Sequence, residues 1–307
     1  MSRRAKFVRW LTSGYMQKLD VANVPVDTAR KHLETVARTL LVRAVGVHVE
    51  QSQMAGVDVD WLRPKRARKD KVLFYLHGGA YVLGSRRTHR QLVSHMAKEA
   101  GVTAVLPEYR LAPEHPFPAA IDDAVAVYRA LLEEGYKPED IVISGDSAGG
   151  GLSVATLLAL RHAGDPLPAA AVLLSPFLDV TASGESATTR ADQDPWFEVQ
   201  DMEVVARYYC ADESKWRDPL ISPVFANVSG LPPMLIQVGD DEILLDDSTR
   251  LAEKLEAAGI DVEIEIWPDM WHVFQMFIGK MPESRKAVEK IGRYIRALSE
   301  ESQSLNS

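Results

Sequence analysis

Apolar residues recur along the chain at two spacings, one typical of helices and one typical of strands. The helical spacing near the amino terminus is carried by Leu33, Val36, Ala37, Leu40 and Leu41. It predicts helices up to about residue 43, with Asp27 as an N-cap after Pro25. From residue 45 every second residue is apolar, and this alternation predicts two antiparallel strands at residues 45–49 and 57–61.

Short apolar runs alternate with helix-forming segments from residue 71 onward. The runs predict strands at residues 72–76, 102–106, 141–144, 170–174, 234–238 and 262–266. Helices are predicted between and after them at residues 88–100, 118–134, 148–162, 247–258 and 283–299. Near-continuous apolar strands are typical of a sheet covered on both faces. The alternation therefore predicts an α/β fold with a mostly parallel central sheet and helices on both faces.

One interval, residues 176–233, interrupts this rhythm. It is rich in turn formers and aromatic residues and has one helical stretch at residues 199–211. We interpret residues 180–230 as an insertion that packs with the N-terminal helices, residues 1–45, as a helical cap. Residues 46–307 would then form the main domain, which carries this insertion. The polar tail after residue 299 is expected to fray.

Charge and composition narrow the class of protein. The 307 residues carry 35 basic and 43 acidic side chains, a net charge of −8, which disfavours nucleic acid as a partner. The basic stretch at residues 63–71 is interpreted as a solvated turn rather than a phosphate site. A single cysteine, Cys210, excludes an intrachain disulfide. Since no stretch resembles a membrane span or the apolar core of a signal peptide, we expect a soluble cytoplasmic protein without a membrane partner.

A Gly-x-Ser-x-Gly pattern lies at the junction of a predicted strand and a predicted helix. The apolar strand at residues 141–144 leads into Gly145, Ser147 and Gly149, and a helix follows directly. This arrangement is typical of a nucleophile elbow, in which a sharp turn exposes the serine hydroxyl and glycines avoid collisions. The alternative is a glycine-rich turn with an incidental serine. The strand–helix context favours Ser147 as a nucleophile.

A second glycine motif follows the strand at residues 72–76. His77-Gly78-Gly79-Ala80 resembles the His-Gly-Gly-Gly motif of lipases and esterases. Backbone N–H groups of Gly78 and Gly79, with that of Ala148 after the serine, could stabilise the oxyanion of a tetrahedral intermediate. We interpret His77 as a structural hydrogen-bonding residue of this loop rather than a catalytic base.

The general base is expected after the serine, because this architecture orders its triad as serine, acid and histidine. Only His162 and His272 follow Ser147. His162 ends a predicted helix, where a cation complements the helix dipole. His272 follows the last predicted strand and is therefore the predicted base. The acid is expected after the preceding strand, where Asp241 is preferred and Glu242 is the alternative.

Together these motifs resemble the hormone-sensitive-lipase-like family of bacterial carboxylesterases. The resemblance extends from about residue 71 to the last helix and is carried by residues 77–79, 109–114, 145–150 and the segments around Asp241 and His272. It implies an α/β-hydrolase core, a helical cap, and hydrolysis of short- to medium-chain acyl esters without a cofactor or metal.

The resemblance also implies roles for individual residues. The nucleophile, acid and base would be Ser147, Asp241 and His272. The oxyanion donors would be Gly78, Gly79 and Ala148. Two departures stand out: Ala80 replaces the third glycine, and the acid segment reads Asp-Glu-Ile-Leu-Leu-Asp where many relatives have Asp-Pro-Leu-x-Asp. Alignment on the downstream Asp246 would make Glu242 the acid.

Other functions remain open at this point. A lactonase for cyclic esters such as terpene lactones, an amidase or peptidase, and a non-catalytic small-molecule receptor could all use this fold. Epoxide hydrolases and dehalogenases have an aspartate at the elbow, unlike this chain. A homodimer through the edge strand at residues 262–266 is a further expectation. Aromatic candidates for pocket walls, although packing is the commoner role for each, are Trp196, Phe197, Tyr208, Trp216 and Phe274.

Overall fold

One eight-stranded sheet forms the centre of the molecule. The computed structural model describes residues 1–16 and 23–304, with side chains described for residues 1–13 and 23–298. The strands are β1 (Val47–Met54), β2 (Val57–Pro64), β3 (Arg68–Leu76), β4 (Val102–Pro107), β5 (Ile141–Asp146), β6 (Ala170–Leu174), β7 (Met234–Gly239) and β8 (Val262–Trp267). Their order in the sheet is β1-β2-β4-β3-β5-β6-β7-β8.

Strand direction agrees with the sequence pattern. β1 pairs antiparallel with β2, and β2 pairs antiparallel with β4. All pairings from β4 through β3, β5, β6 and β7 to β8 are parallel. Every residue of β4, β5, β6 and β7 is buried, as a sheet covered on both faces requires. The predicted α/β fold with a mostly parallel sheet is confirmed.

Helices cover both faces of the sheet. They are α1 (Arg3–Met16), α2 (Val26–Leu40), α3 (Arg86–Ala100), α4 (Ala119–Glu133), α5 (Ala148–Ala163), α6 (Ser186–Thr189), α7 (Val199–Tyr209), α8 (Leu245–Ala257) and α9 (Pro282–Ser304). Alternate residues of β3 face two separate cores. Phe74 and Leu76 pack with residues of α4, α5 and α8, whereas Leu73 and Tyr75 pack with residues of α3 and α9.

Arg30 bonds the helix α2 to the rest of the molecule. The Arg30 guanidinium donates to the Val82 and Ala112 carbonyl oxygens, each at 2.8 Å, and to both carboxylate oxygens of Glu114 at 2.8 Å. Arg30 therefore ties α2 to the loops that follow β3 and β4.

Among the described residues, no helix is long and apolar enough to span a membrane.

Three local predictions differ from the structure. The basic turn shortens to residues 65–67, because β2 continues to Pro64 and β3 starts at Arg68. The residue before α2 is Pro25, and Asp27 lies in the first turn. The helix predicted from residue 247 starts at Leu245 as α8, and the buried Asp247 carboxylate in its first turn accepts the N–H groups of Leu178 and Asp179. The tail that was expected to fray after residue 299 is helical as far as Ser304 in α9, and residues 305–307 lie outside the described residues.

Candidate active site

Ser147 occupies a strained turn between β5 and α5. Its backbone angles are φ 51° and ψ −125°, a region that non-glycine residues rarely adopt. The turn is held from outside: the Ser147 N–H donates to the Leu174 carbonyl at 2.9 Å, and the Ser147 carbonyl accepts the Phe177 N–H at 2.9 Å. The end of β6 and the residues after it therefore stabilise the turn predicted from the Gly-x-Ser-x-Gly pattern.

The glycines of this pattern permit close backbone contacts. A Cβ atom on Gly149 would lie 2.1 Å from the Leu76 carbonyl oxygen. One on Gly145 would lie 2.2 Å from the Gly149 carbonyl oxygen. Both distances are far inside van der Waals contact, so only glycine lets α5 start this close to β3 and β5. The first turn of α5 consequently points its unpaired N–H groups at the space beside Ser147.

A buried carboxylate orients His272. The His272 Nδ1 atom lies 2.8 Å from Glu242 Oε2, and both residues are buried. Glu242 Oε1 accepts the Ser175 hydroxyl at 2.8 Å and the Gly239 N–H. These bonds place Nδ1–H toward the carboxylate, so that the lone pair of the neutral ring is on Nε2.

Asp241, the preferred acid of the sequence analysis, does not contact His272, and that prediction is wrong. Its carboxylate forms an ion pair with Arg9 of α1 instead. The two adjacent acidic side chains point in different directions. The Glu242 carboxylate is buried against the His272 imidazole, whereas the Asp241 carboxylate contacts Arg9 of α1. Glu242, the alternative acid, has the geometry of a triad carboxylate.

The serine turn and the histidine loop meet at the end of β6. Leu174 accepts the Ser147 N–H, and the next residue, Ser175, accepts the Val273 N–H through its hydroxyl at 3.2 Å. Leu174 and Ser175, which are consecutive at the end of β6, therefore hold the serine turn and the histidine loop. With Nδ1 bonded to Glu242, Nε2 is the ring nitrogen that remains for the Ser147 hydroxyl.

The loop after β3 has free backbone N–H groups, although they differ in part from the predicted oxyanion donors. The Gly78 N–H already donates to Asp146 Oδ1 at 3.1 Å, so its assignment as an oxyanion donor is wrong. Within the described part of the chain, no hydrogen bond occupies the N–H groups of Gly79 and Ala80. Ala148 is the first residue of α5 and has no intrahelical acceptor. The available donors are Gly79, Ala80 and Ala148.

Asp146 and His89 form a buried pair beneath this loop. Asp146 accepts the Tyr75 hydroxyl at 2.7 Å and lies 3.2 Å from His89 Nε2. Burial alone would raise the pKa of Asp146, but the charge and hydrogen bond of His89 and the bond from Tyr75 outweigh it and lower that pKa. Burial would likewise lower the pKa of His89, and the charge and hydrogen bond of Asp146 raise it instead.

His77 supports the same loop as a neutral side chain. Its ring lies between Tyr109 and His89, with ring centroids at 4.2 and 5.4 Å, and its Nδ1 lies 2.9 Å from the Gly78 carbonyl. Burial and the neighbouring His89 lower the pKa of His77 to about 3. A ring that stays neutral and contacts no triad residue fits the structural role expected from the sequence.

Two aromatic residues of the insertion face the histidine. Phe197 and Trp196 lie edge-on to the His272 ring, with centroids at 4.9 and 6.4 Å. Of the other aromatic candidates, Trp216 donates to the Cys210 carbonyl and Phe274 packs against Trp267. Among the side chains the structure describes, no group of three or more histidine, cysteine or carboxylate ligands could hold a metal ion.

Comparison with known proteins agrees with this architecture. The family described as the alpha/beta hydrolase fold matches residues 73–276. An acetyl-hydrolase of Streptomyces hygroscopicus is 47% identical over 77% of this chain and 79% of its own length. An esterase of Acinetobacter venetianus is 37% identical over 90% of both chains. A crystal structure of an esterase from the bacterial hormone-sensitive lipase family, 43% identical, superposes with a TM-score of 0.91 over 97% of this chain and 99% of that one.

These matches extend over the core, the serine turn and the His272 loop. The chain therefore belongs to the hormone-sensitive-lipase-like family of bacterial carboxylesterases within the α/β-hydrolase fold. The resemblance inferred from the sequence motifs is confirmed.

The contacts of Glu242 and Asp241 predict opposite results for two neighbouring substitutions. Glu242→Gln should lower kcat by about 10⁴-fold, because an amide in place of the triad carboxylate favours the wrong histidine tautomer. Asp241→Asn should change kcat by only a few-fold, since it removes an ion pair with Arg9 that is partly exposed. Steady-state hydrolysis of one aryl ester measures both. A larger loss in Asp241→Asn would reverse the assignment.

The buried pair predicts a specific pH dependence of stability. The raised pKa of His89 stabilises the fold fully below its ordinary value of about 6.5, and this contribution is lost as the pH rises through the raised pKa. In Asp146→Asn the imidazole has no counter-charge, so this loss should disappear, with a destabilisation of about 3–5 kcal/mol at pH 6. His89→Gln should flatten the profile with less damage, because it keeps a donor for Asp146.

Urea midpoints measured at intervals from pH 6 to 9 test this prediction. Other titrating groups affect the wild type and both variants alike. Differences between their stability profiles therefore isolate the contribution of the Asp146–His89 pair. An unchanged decline of stability with pH in both variants would show that His89 is not held in its charged form by Asp146.

Proposed function

We propose that the chain is a serine carboxylesterase that hydrolyses short- to medium-chain acyl esters through an acyl-enzyme, with Ser147, Glu242 and His272 as its triad. The observation that carries the proposal is the buried Glu242–His272 hydrogen bond beside the strained Ser147 turn. Acyl transfer requires a hydroxyl, an oriented imidazole and free amide donors, and here all three follow the carboxyl ends of strands.

In the proposed acylation step, Ser147 Oγ attacks the ester carbonyl carbon while His272 Nε2 takes the hydroxyl proton. The developing oxyanion accepts hydrogen bonds from the amides of Gly79, Ala80 and Ala148. Glu242 stabilises the imidazolium that forms. When the tetrahedral intermediate collapses, the C–O bond to the alcohol breaks and the leaving oxygen takes the proton from Nε2.

Deacylation repeats these steps with water. His272 takes a proton from the water, whose oxygen attacks the acyl carbon, and the proton returns to Ser147 Oγ as the carboxylic acid leaves. Every proton is taken up and returned by His272, so the proposed reaction needs no cofactor.

The cap and the oligomeric state are part of the same proposal. We assign α1, α2 and residues 180–230 to a cap over the site, supported by Phe197 against His272 and by Arg9, which donates to the Gln193 carbonyl and to Asp241. A homodimer through β8 is proposed because β8 lies at the sheet edge, where Ile266 is 47% exposed.

Ser147→Ala tests the proposed nucleophile. It should abolish turnover of p-nitrophenyl esters from acetate to decanoate and prevent covalent labelling by a serine-directed phosphonate, with an unchanged melting temperature. Ser214→Ala, at an exposed hydroxyl, is the matched control and should retain both activities. Turnover and labelling that persist in Ser147→Ala would refute the proposal.

A further inference from the structure

A cleft of about 430 Å³ lies beside α1, away from the triad. Its wall includes Phe7, Leu11 and Phe277, and its rim includes Arg3, Arg4 and Lys280. Its volume is in the range of small-molecule sites, and most of its wall is apolar. The Phe277 ring contacts Trp196, which in turn faces His272, so aromatic rings separate the cleft from the imidazole.

Positive charge is concentrated at this cleft on an otherwise acidic chain. Arg3, Arg4 and Lys280 are all exposed at its rim, and within the described residues none of them forms an ion pair. Among the side chains that the structure describes, no carboxylate lines the cleft. Nearby carboxylates are already engaged: Asp269 by the N-terminal amine, and Glu283 by the N–H and hydroxyl of Ser2.

Aromatic surface is exposed at the same place. Phe7 is 59% exposed and lines the cleft, and Trp10 beside it is 73% exposed. Large apolar side chains of this exposure in one turn of helix often mark a binding surface. Covering such surface contributes roughly 25 cal/mol for each Å² removed from water.

We propose that this cleft binds the anion of a medium-chain alkyl carboxylate. The alkyl chain would lie against Phe7, Leu11 and Phe277, and the carboxylate would lie among the rim cations. The apolar walls favour a ligand with an alkyl chain, and the three cations at the rim favour a ligand with a negative charge. The proposal does not depend on the proposed function, although ester hydrolysis releases ligands of this class.

Calorimetric titration of the wild-type protein with decanoate and with decyltrimethylammonium, both below their micellar concentrations, tests the site. Decanoate should bind, and Arg4→Gln/Lys280→Gln should weaken it at least tenfold. The charge-matched control, Lys286→Gln/Arg293→Gln on exposed positions of α9, should not. Absence of decanoate binding, equal binding of the cationic amphiphile, or equal weakening by both double variants would overturn the proposal.

A second, independent observation concerns Asp194, which joins the insertion to the acid loop. Its Oδ2 accepts the Ile243 N–H at 3.0 Å, one residue after Glu242. Its Oδ1 accepts the N–H groups of Trp196 and Phe197 at 2.9 and 3.1 Å. One carboxylate therefore binds the backbone of the acid loop and of both aromatic residues that face the imidazole.

The neighbours of Asp194 join the same two segments. Arg190 pairs with Asp240 at 3.0 Å, and Arg9 donates to both the Gln193 carbonyl and Asp241. These links are exposed or partly exposed, whereas burial is extensive enough at Asp194 to raise its pKa. The backbone N–H donors of Ile243 and Trp196 act in the opposite direction, but burial has the larger effect on this pKa.

We infer that Asp194 is a positioning residue, which sets the acid loop and holds Phe197 edge-on to His272. The inference rests on the proposed function. Both carboxylate oxygens of Asp194 accept hydrogen bonds from backbone N–H groups. The side-chain amide of an asparagine would therefore turn its NH₂ group toward one of these N–H donors. Asp194→Asn therefore breaks one side of the link with almost no change in volume.

Asp194→Asn and Asp194→Ala should each lower kcat by about 10- to 100-fold, since small misplacement of reacting groups has effects of this size. KM should change less, and the acidic limb of the pH–kcat/KM profile should shift because the Glu242–His272 geometry is loosened. Asp192→Ala, at an exposed carboxylate in the same segment, should match the wild type.

A lowered melting temperature with unchanged kcat and pH profile would reduce Asp194 to a structural residue and overturn the inference. This failure is distinct from failure of the proposed function, which Ser147→Ala tests alone.

Discussion

Burial of the Glu242 carboxylate is the constraint on which the candidate site depends. A buried carboxylate is costly unless its oxygens are hydrogen-bonded, and three segments supply those bonds. Ser175 donates from the end of β6, Gly239 from the end of β7, and His272 from the loop after β8. The acid is therefore stable in this position only when three strand ends are assembled, and the same bonds fix the imidazole.

A second buried carboxylate, Asp146, forms a similar hydrogen-bond network on the other side of Ser147. Asp146 ends β5 next to Ser147 and binds the Gly78 amide, the Tyr75 hydroxyl and His89. Its bond to Gly78 sets the conformation of the loop and leaves the next two amides free. The serine thus lies between two polar networks, one that orients the base and one that shapes the oxyanion loop.

The sequence predicted the features that depend on local pattern. Apolar runs predicted the parallel strands, and the glycines around Ser147 predicted its turn, because both are determined by neighbours in the chain. Errors arose where the partner is remote. Asp241 and Glu242 are adjacent and chemically alike, and Arg9, which separates their roles, lies 232 residues from Asp241. The Gly78 amide is likewise occupied by a side chain 68 residues away.

The ion pair of Arg9 with Asp241 explains why Asp241 does not orient His272. Of two adjacent carboxylates, one faces the imidazole and the other holds α1, so the first helix is bonded to the residue beside the acid. Any displacement of α1 would act on the backbone that carries Glu242, and through Gln193 on the segment that carries Phe197. The amino-terminal helix is therefore connected by hydrogen bonds to the segment that carries Glu242 and to the segment that carries Phe197, so α1 can affect the site although it is distant in sequence.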